Sequence, residues 1–158
     1  HMATPVALNL SRQKLPVLQE GTQGHAADLA KGAYVVADTD GAPDLVMIAT
    51  GSEVHVTLEA AEKLKAEGVF ARVVSMPSWE LFEAAPKEYQ DQVLPPGIEA
   101  RMSVEAGSDM GWQRYIGQKG LTVHMRGYGA SAPGGTNMEQ NGFTVDNIVK
   151  TAIEVSKQ

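Results

Sequence analysis

Few side chains in this sequence are of a type that does chemistry, and their spacing limits what they could do together. The four histidines are His1, His25, His55 and His124, and none stands at metal-ligand spacing from another histidine or a carboxylate. His55 falls at the third position of an expected helix, where closing a cap with Ser52 competes with any catalytic role. Arg12 ends an apolar extended run and carries the planar five-donor group suited to an anionic substrate end; its other reading is a solvated arginine at a strand end. Gly51, Ser52 and Glu53 read as a helix amino terminus directly after a strand, the place where open α/β sheets bind anions, although Glu53 already supplies negative charge there. Asp38, Asp40 and Asp44 surround Gly41 in an order that does not match a calcium loop, and a hairpin turn accounts for them. Ser131 resembles a nucleophile turn only loosely. With Pro133 following and no histidine nearby, it reads as a loop-bonding hydroxyl. No G-x-S-x-G elbow and no glycine-rich phosphate loop occurs.

Bulk properties narrow the classes further. A chain of 158 residues has room for one full core. With 43% apolar and 20% charged residues and a mean hydropathy of −0.18, it has the composition of an ordinary globular protein. A net charge of −6 with scattered basic residues argues against nucleic acid as a partner. No apolar run approaches the ~18–20 residues a bilayer core requires, and no signal-like segment opens the chain, so no membrane partner is expected. Zero cysteines exclude disulfides and thiolate catalysis, which fits the cytoplasm. His1 and Met2 read as a tag scar (1–2).

The elements that must position these residues are legible from hydrophobic periodicity. Residues 45–50 are apolar or β-branched without interruption, as in a strand covered on both faces. Ser52 is expected to cap a helix with Val54, Leu58, Ala61 and Leu64 along one apolar stripe, ended by Gly68. A second strand over 70–76 completes a βαβ unit, with its two strands parallel. A strand over 32–38, followed by the turn residues Asp40-Gly41-Ala42-Pro43, is expected to pair antiparallel with the strand at 45–50 as its neighbour. One turn is expected around 26–31, short helices behind Ser78 and Pro86, strands over 100–105 and 121–125, and a short helix over 111–116. A glycine-rich loop over 127–135 precedes two closing helical segments, the last capped by Thr144 with Val145, Ile148, Val149, Ala152 and Val155 inward. The fold class is therefore α/β: a three-layer α/β/α sandwich over a mostly parallel five-stranded sheet whose first strand is antiparallel.

Four stretches, VALNLSRQKLPVL, LVMIATGSEVHVTLEAAEKL, ARVVSMPSWELFE and YGASAPGGTNMEQNGFTVDNIVKTA, together resemble the carboxyl-terminal part of transketolase in order and spacing. The resemblance implies a transketolase C-terminal-domain-like fold over 25–158, with 3–24 as the end of a preceding pyrimidine-binding domain plus linker. It implies that the arginine of the SRQ stretch, Arg12, contacts the phosphate of a sugar substrate, and carries over no catalytic, cofactor-binding or metal residue. It also implies a cytoplasmic, homodimeric parent of the pentose phosphate pathway that moves two-carbon ketol units between ketose and aldose phosphates with thiamine diphosphate and a divalent metal, Mg or Ca. The family builds that site in two earlier domains, from a GDG motif, an activating glutamate and several histidines. None of these is present here. The fragment's partners would then be the other two domains of its subunit, and it would be inactive alone. The reading from another class is a small-ligand or regulatory module binding an anion at Gly51, Ser52 and Glu53.

Overall fold

The computed structural model describes residues 5–11, 13–18 and 26–158. Its centre is the strand β2 (Leu45–Ala49), every residue of which is buried. Five consecutive buried positions require cover on both faces and hydrogen-bonding neighbours on both edges. The neighbours are β3 (Ala71–Ser75) and β4 (Arg101–Glu105), both parallel to β2, so that Met47 stands opposite Val73 on one side and Met102 on the other. β5 (Leu121–His124) continues the parallel set beyond β4. With β1 (Tyr34–Ala37) the sheet has five strands in the order β1-β3-β2-β4-β5.

β1 is antiparallel as expected from the sequence, but its neighbour is β3 and not β2. Both edges of β2 are taken by strands that return through helical crossovers, which leaves β1 the outer edge of β3. The acidic residues between β1 and β2 consequently do not make a hairpin. The Asp38 carboxylate accepts from Arg72 Nε and Nη2 of β3, each at 2.8 Å. Asp44 closes on Phe70 at the start of β3, with its backbone N–H donating to the Phe70 carbonyl and its Oδ2 accepting from the Phe70 N–H, both at 2.7 Å.

Alternation along the strands divides the core in two. Met47, Val73, Met102, Val104 and Val123 face the long helices α1 (Glu53–Ala66) and α6 (Val145–Ser156). Val46, Ile48 and Val74 face three short helices, α2 (Trp79–Ala84), α3 (Lys87–Val93) and α4 (Gln113–Ile116). Helices on both faces of one sheet give the three layers. On the first side, α1 buries Val54, Ala61 and Leu64 as the apolar stripe requires, with Thr57 and Ala60, while Leu58 is only half-buried. α6 contributes Ile148, Val149, Ala152 and Val155, each worth roughly 1.5–3 kcal/mol for the larger side chains when fully buried. On the second side the filling is aromatic: Trp79 and Trp112 meet edge-on with ring centroids 5.1 Å apart, and Tyr115 lies 5.4 Å from Trp79.

Local signals set the helix ends. Ser78 caps α2, accepting from the Leu81 N–H at 3.3 Å, and Thr144 caps α6, accepting from the Asn147 N–H at 3.3 Å. α1 stops at Gly68, whose φ of +82° suits a residue without a Cβ; the Gly68 and Val69 N–H groups close back on the carbonyls of Lys65 and Leu64. A short 3-10 helix (Ala26–Lys31) precedes Gly32, where a Cβ would come within 2.2 Å of the Phe82 nitrogen, so only glycine lets α2 approach β1 there. The last helix is preceded by α5 (Gly134–Gln140).

Candidate functional site at the carboxyl end of the sheet

From β2 the chain passes to β3 on one side and reaches β4 on the other, so the strand order reverses between β2 and β4. Open α/β sheets hold ligands at that point, outside the carboxyl ends of the strands. Here the ends are Thr50 after β2, Ser75 and Met76 of β3 and its exit, and Glu105 of β4. Above them lies an open depression of about 560 Å³, lined by Thr50, Gly51, Pro77, Ser78, Ser108 and, from the amino-terminal segment, Asn9.

One carboxylate, Glu105, lines the depression and a second, Glu53, lies buried near it; the chain satisfies both by itself. Glu53, the first residue of α1, is only 3% exposed. Its Oε1 accepts from Ser52 Oγ at 2.6 Å and its Oε2 from the Ala106 N–H at 3.2 Å. Ser52 therefore does not cap α1 as the sequence suggests: its backbone is helical, its hydroxyl makes no cap bond, and it donates to Glu53 instead. A cap needs an extended backbone to turn the hydroxyl back toward the helix, and Ser78 and Thr144 have that geometry while Ser52 does not. His55 accordingly closes no cap with Ser52. Across the strand reversal, Glu105 Oε2 accepts from Thr50 Oγ1, tying the end of β4 to the end of β2. Burial pushes the Glu105 carboxyl above the usual glutamate range; the Thr50 bond opposes this and the nearby Glu53 charge adds to it.

This arrangement is poorly suited to an anion at Gly51, Ser52 and Glu53. The positive end of α1 is already met by the buried Glu53 side chain, and a second negative charge would face both Glu53 and Glu105. It is equally short of catalytic partners. A hydroxyl and a carboxylate meet at Thr50 and Glu105, but no histidine among the described residues joins them. His124 lies on β5, with Nδ1 2.7 Å from Thr122 Oγ1 and Nε2 3.6 Å from Asp109 Oδ2. Asp109 and His124 are brought together by the turn through Gly107, whose carbonyl accepts from the Met125 N–H; their separation in sequence gives no short-range signal. Among the described residues no three His, Asp or Glu side chains gather where they could hold a metal ion.

Arg12 and His25 lie outside the described residues. Ser131 is exposed, and the loop around it is held instead by Asn137, whose Nδ2 donates to the carbonyls of Ala130 at 2.9 Å and Ala132 at 3.2 Å. Sequence reasoning passed over Glu105 and Arg101. Both are the charged ends of the strand Arg101–Glu105, and a charge at a strand end ordinarily reads as solvated.

The comparisons with known proteins agree with this geometry. Residues 32–144 match the family described as the transketolase-like TK C-terminal domain. The transketolase of Halalkalibacterium halodurans is 50% identical over 149 residues, which is 94% of this chain and 22% of that protein. Among solved structures, transketolase from Leishmania mexicana superposes with a TM-score of 0.78 at 40% identity, covering 86% of this chain and 19% of that one. The Pichia stipitis transketolase solved in complex with sedoheptulose 7-phosphate gives a TM-score of 0.83 at 29% identity, covering 92% and 20%. The chain thus spans about a fifth of the length of the relatives it matches, as 22% of the first shows. By its family match and by its identity to these relatives, it belongs to the transketolase family as a C-terminal domain.

Proposed function

We propose that this chain is the carboxyl-terminal domain of a cytoplasmic, homodimeric transketolase, inactive by itself. Its part in ketol transfer between ketose and aldose phosphates is to complete the subunit and to hold the substrate phosphate through Arg12. The observation that carries the reading is the share of the relatives covered, 22%, by a chain whose Glu53 and Glu105 carboxylates are engaged by its own donors. A guanidinium offers a planar fork to a phosphate, which a lysine or a helix amino terminus already filled by Glu53 does not. Residues 3–24 are read as the end of the preceding pyrimidine-binding domain plus linker, and this accords with the exposure of Val6, Leu8 and Leu10 at 59%, 75% and 84%.

Thiamine diphosphate and a divalent metal, Mg or Ca, belong to the whole enzyme in this reading. The described residues of this chain do not fit either group. No three candidate ligands converge among them, and Glu53 and Glu105 are bonded to Ser52, the Ala106 N–H and Thr50. The chain's own residues fold, pack against the rest of the subunit and bind the phosphate, leaving the carbon chemistry to the other domains.

The test is an assay of the chain alone with a ketose phosphate donor, an aldose phosphate acceptor, thiamine diphosphate and Mg. No exchange above the blank is expected; appearance of the transferred product would overturn the reading. In the whole enzyme, Arg12→Gln should raise KM for phosphorylated substrates by about tenfold or more, the equivalent of losing one charge-assisted phosphate contact.

A further inference from the structure

The two acids that line the depression at the carboxyl end of the sheet accept from its own hydroxyls, Glu105 from Thr50 and Glu80 from Ser78 at 3.2 Å, and Asn9 stands beside them on its rim. Asn9 precedes Arg12 by three positions in a segment where Val6, Leu8 and Leu10 alternate with Ala7, Asn9 and Ser11. Alternating side chains of an extended segment point to opposite sides. Leu8 and Leu10 are 75% and 84% exposed, while Asn9, itself exposed, lines the depression together with Thr50, Gly51, Ser78 and Ser108. The depression therefore faces the polar side of a two-sided strap whose apolar side is left for another unit. The rim matches it: Thr50 and Ser78, which donate to Glu105 and Glu80, keep hydroxyl oxygens that can accept, and Ser108 and the Gly51 backbone add further polar groups, which suits an amide side chain with both donor and acceptor.

We propose that this depression is the seat of the amino-terminal strap, and that Asn9 is a positioning residue which fixes where Arg12 meets the substrate phosphate. The role of Arg12 rests on the function proposed above; the seat does not. The acid network beneath then has a structural purpose. Glu53 and Glu105 tie α1, β2 and β4 into one rigid floor, so the strap is referenced to the whole sheet.

The chain has no cysteine, so a pair introduced by substitution reports without background. Asn9→Cys is combined with Ser78→Cys or with Ser108→Cys, and closure is followed under oxidised glutathione, which takes up the two thiol electrons. Because disulfide formation requires Cβ atoms close and directed at each other, at least one Asn9 pair should close about tenfold faster than the same pair built from Leu8→Cys. Equal or faster closure by the Leu8 control, or no closure by either Asn9 pair, would overturn the seat. In the whole enzyme, Asn9→Ala should raise KM for the sugar phosphate about three- to tenfold with kcat changed less than twofold. An unchanged KM would overturn the positioning role. If Arg12→Gln leaves KM unaltered while the Asn9 pair closes, the phosphate contact is lost from the reading and the seat stands.

Discussion

The two ends of the sheet handle charge in opposite ways. At the amino end, two arginines are held by many acceptors. Arg101 donates from Nε to the Ile98 carbonyl at 2.8 Å, from Nη1 to that of Tyr115 at 2.9 Å and from Nη2 to that of Pro95 at 2.7 Å. Arg72 grips Asp38 with two bonds and adds the Gln92 carbonyl at 2.6 Å, its side chain only 13% exposed. At the carboxyl end, two acids are satisfied by hydroxyls and one backbone N–H, with no ion pair to a cation among the described residues. A guanidinium whose three nitrogens all donate closes a surface, and the amino end is a clamp. Acids held by neutral donors near one another leave Glu105 disfavoured as a charged group, and the carboxyl end is a rigid floor.

This contrast can be broken at its strongest point first. Arg101→Ala removes the donor to several carbonyls at once and leaves them unpaired in a half-buried site, so a loss of about 2–4 kcal/mol is expected from urea unfolding. A loss below that of an ordinary surface substitution would remove the clamp. Asp38→Ala should cost about 1.5–3 kcal/mol, because Arg72 keeps its buried guanidinium without its bidentate partner. Asp38→Ala combined with Arg72→Leu should recover part of this loss in a double-mutant cycle.

The carboxyl end should respond with the opposite sign. Glu105→Gln keeps an acceptor for Thr50 but removes a charge beside Glu53, and should raise the unfolding midpoint at neutral pH. Because the folded chain holds the Glu105 carboxyl above its ordinary range, the folded state binds this proton more tightly than the unfolded one. That contribution is complete below the ordinary glutamate range and is lost as pH rises through the elevated folded value. The advantage of the glutamine variant should therefore grow with rising pH and vanish in acid; a gap constant with pH would show that the effect is not ionic. Smallest of all, Lys63→Ala removes an ion pair to Asp146 between exposed side chains and should leave the midpoint within error in moderate salt.

Much of the architecture is written in local pattern. The unbroken apolar run at 45–50 announced a central strand because a strand covered on both faces tolerates no polar side chain. Thr144 and Ser78 announced their helices because a cap is a bond to a residue three positions away. The same local logic failed at Ser52, where a carboxylate next door offered its hydroxyl a nearer acceptor. It failed again between β1 and β2, where residues read as a hairpin turn make only bends and the strand beside β1 is β3. Which edge β1 occupies depends on strands that come later in the chain, and Asp38 records this by bonding Arg72, 34 positions on.

The candidate site was less legible than the fold. Its floor joins Thr50 to Glu105, 55 positions apart, and Glu53 to the Ala106 N–H, 53 positions apart. The sequence by itself determined the elements, the layer count, the amphipathic faces and the family, since each follows from residue type and spacing within one segment or from the order of segments. Only the tertiary structure decided that β1 lies beside β3, that Glu53 is buried, and that two acids and Asn9 meet at one end of the sheet. Burial and charge proximity arise when distant segments share a surface, and no local spacing encodes which segments those will be.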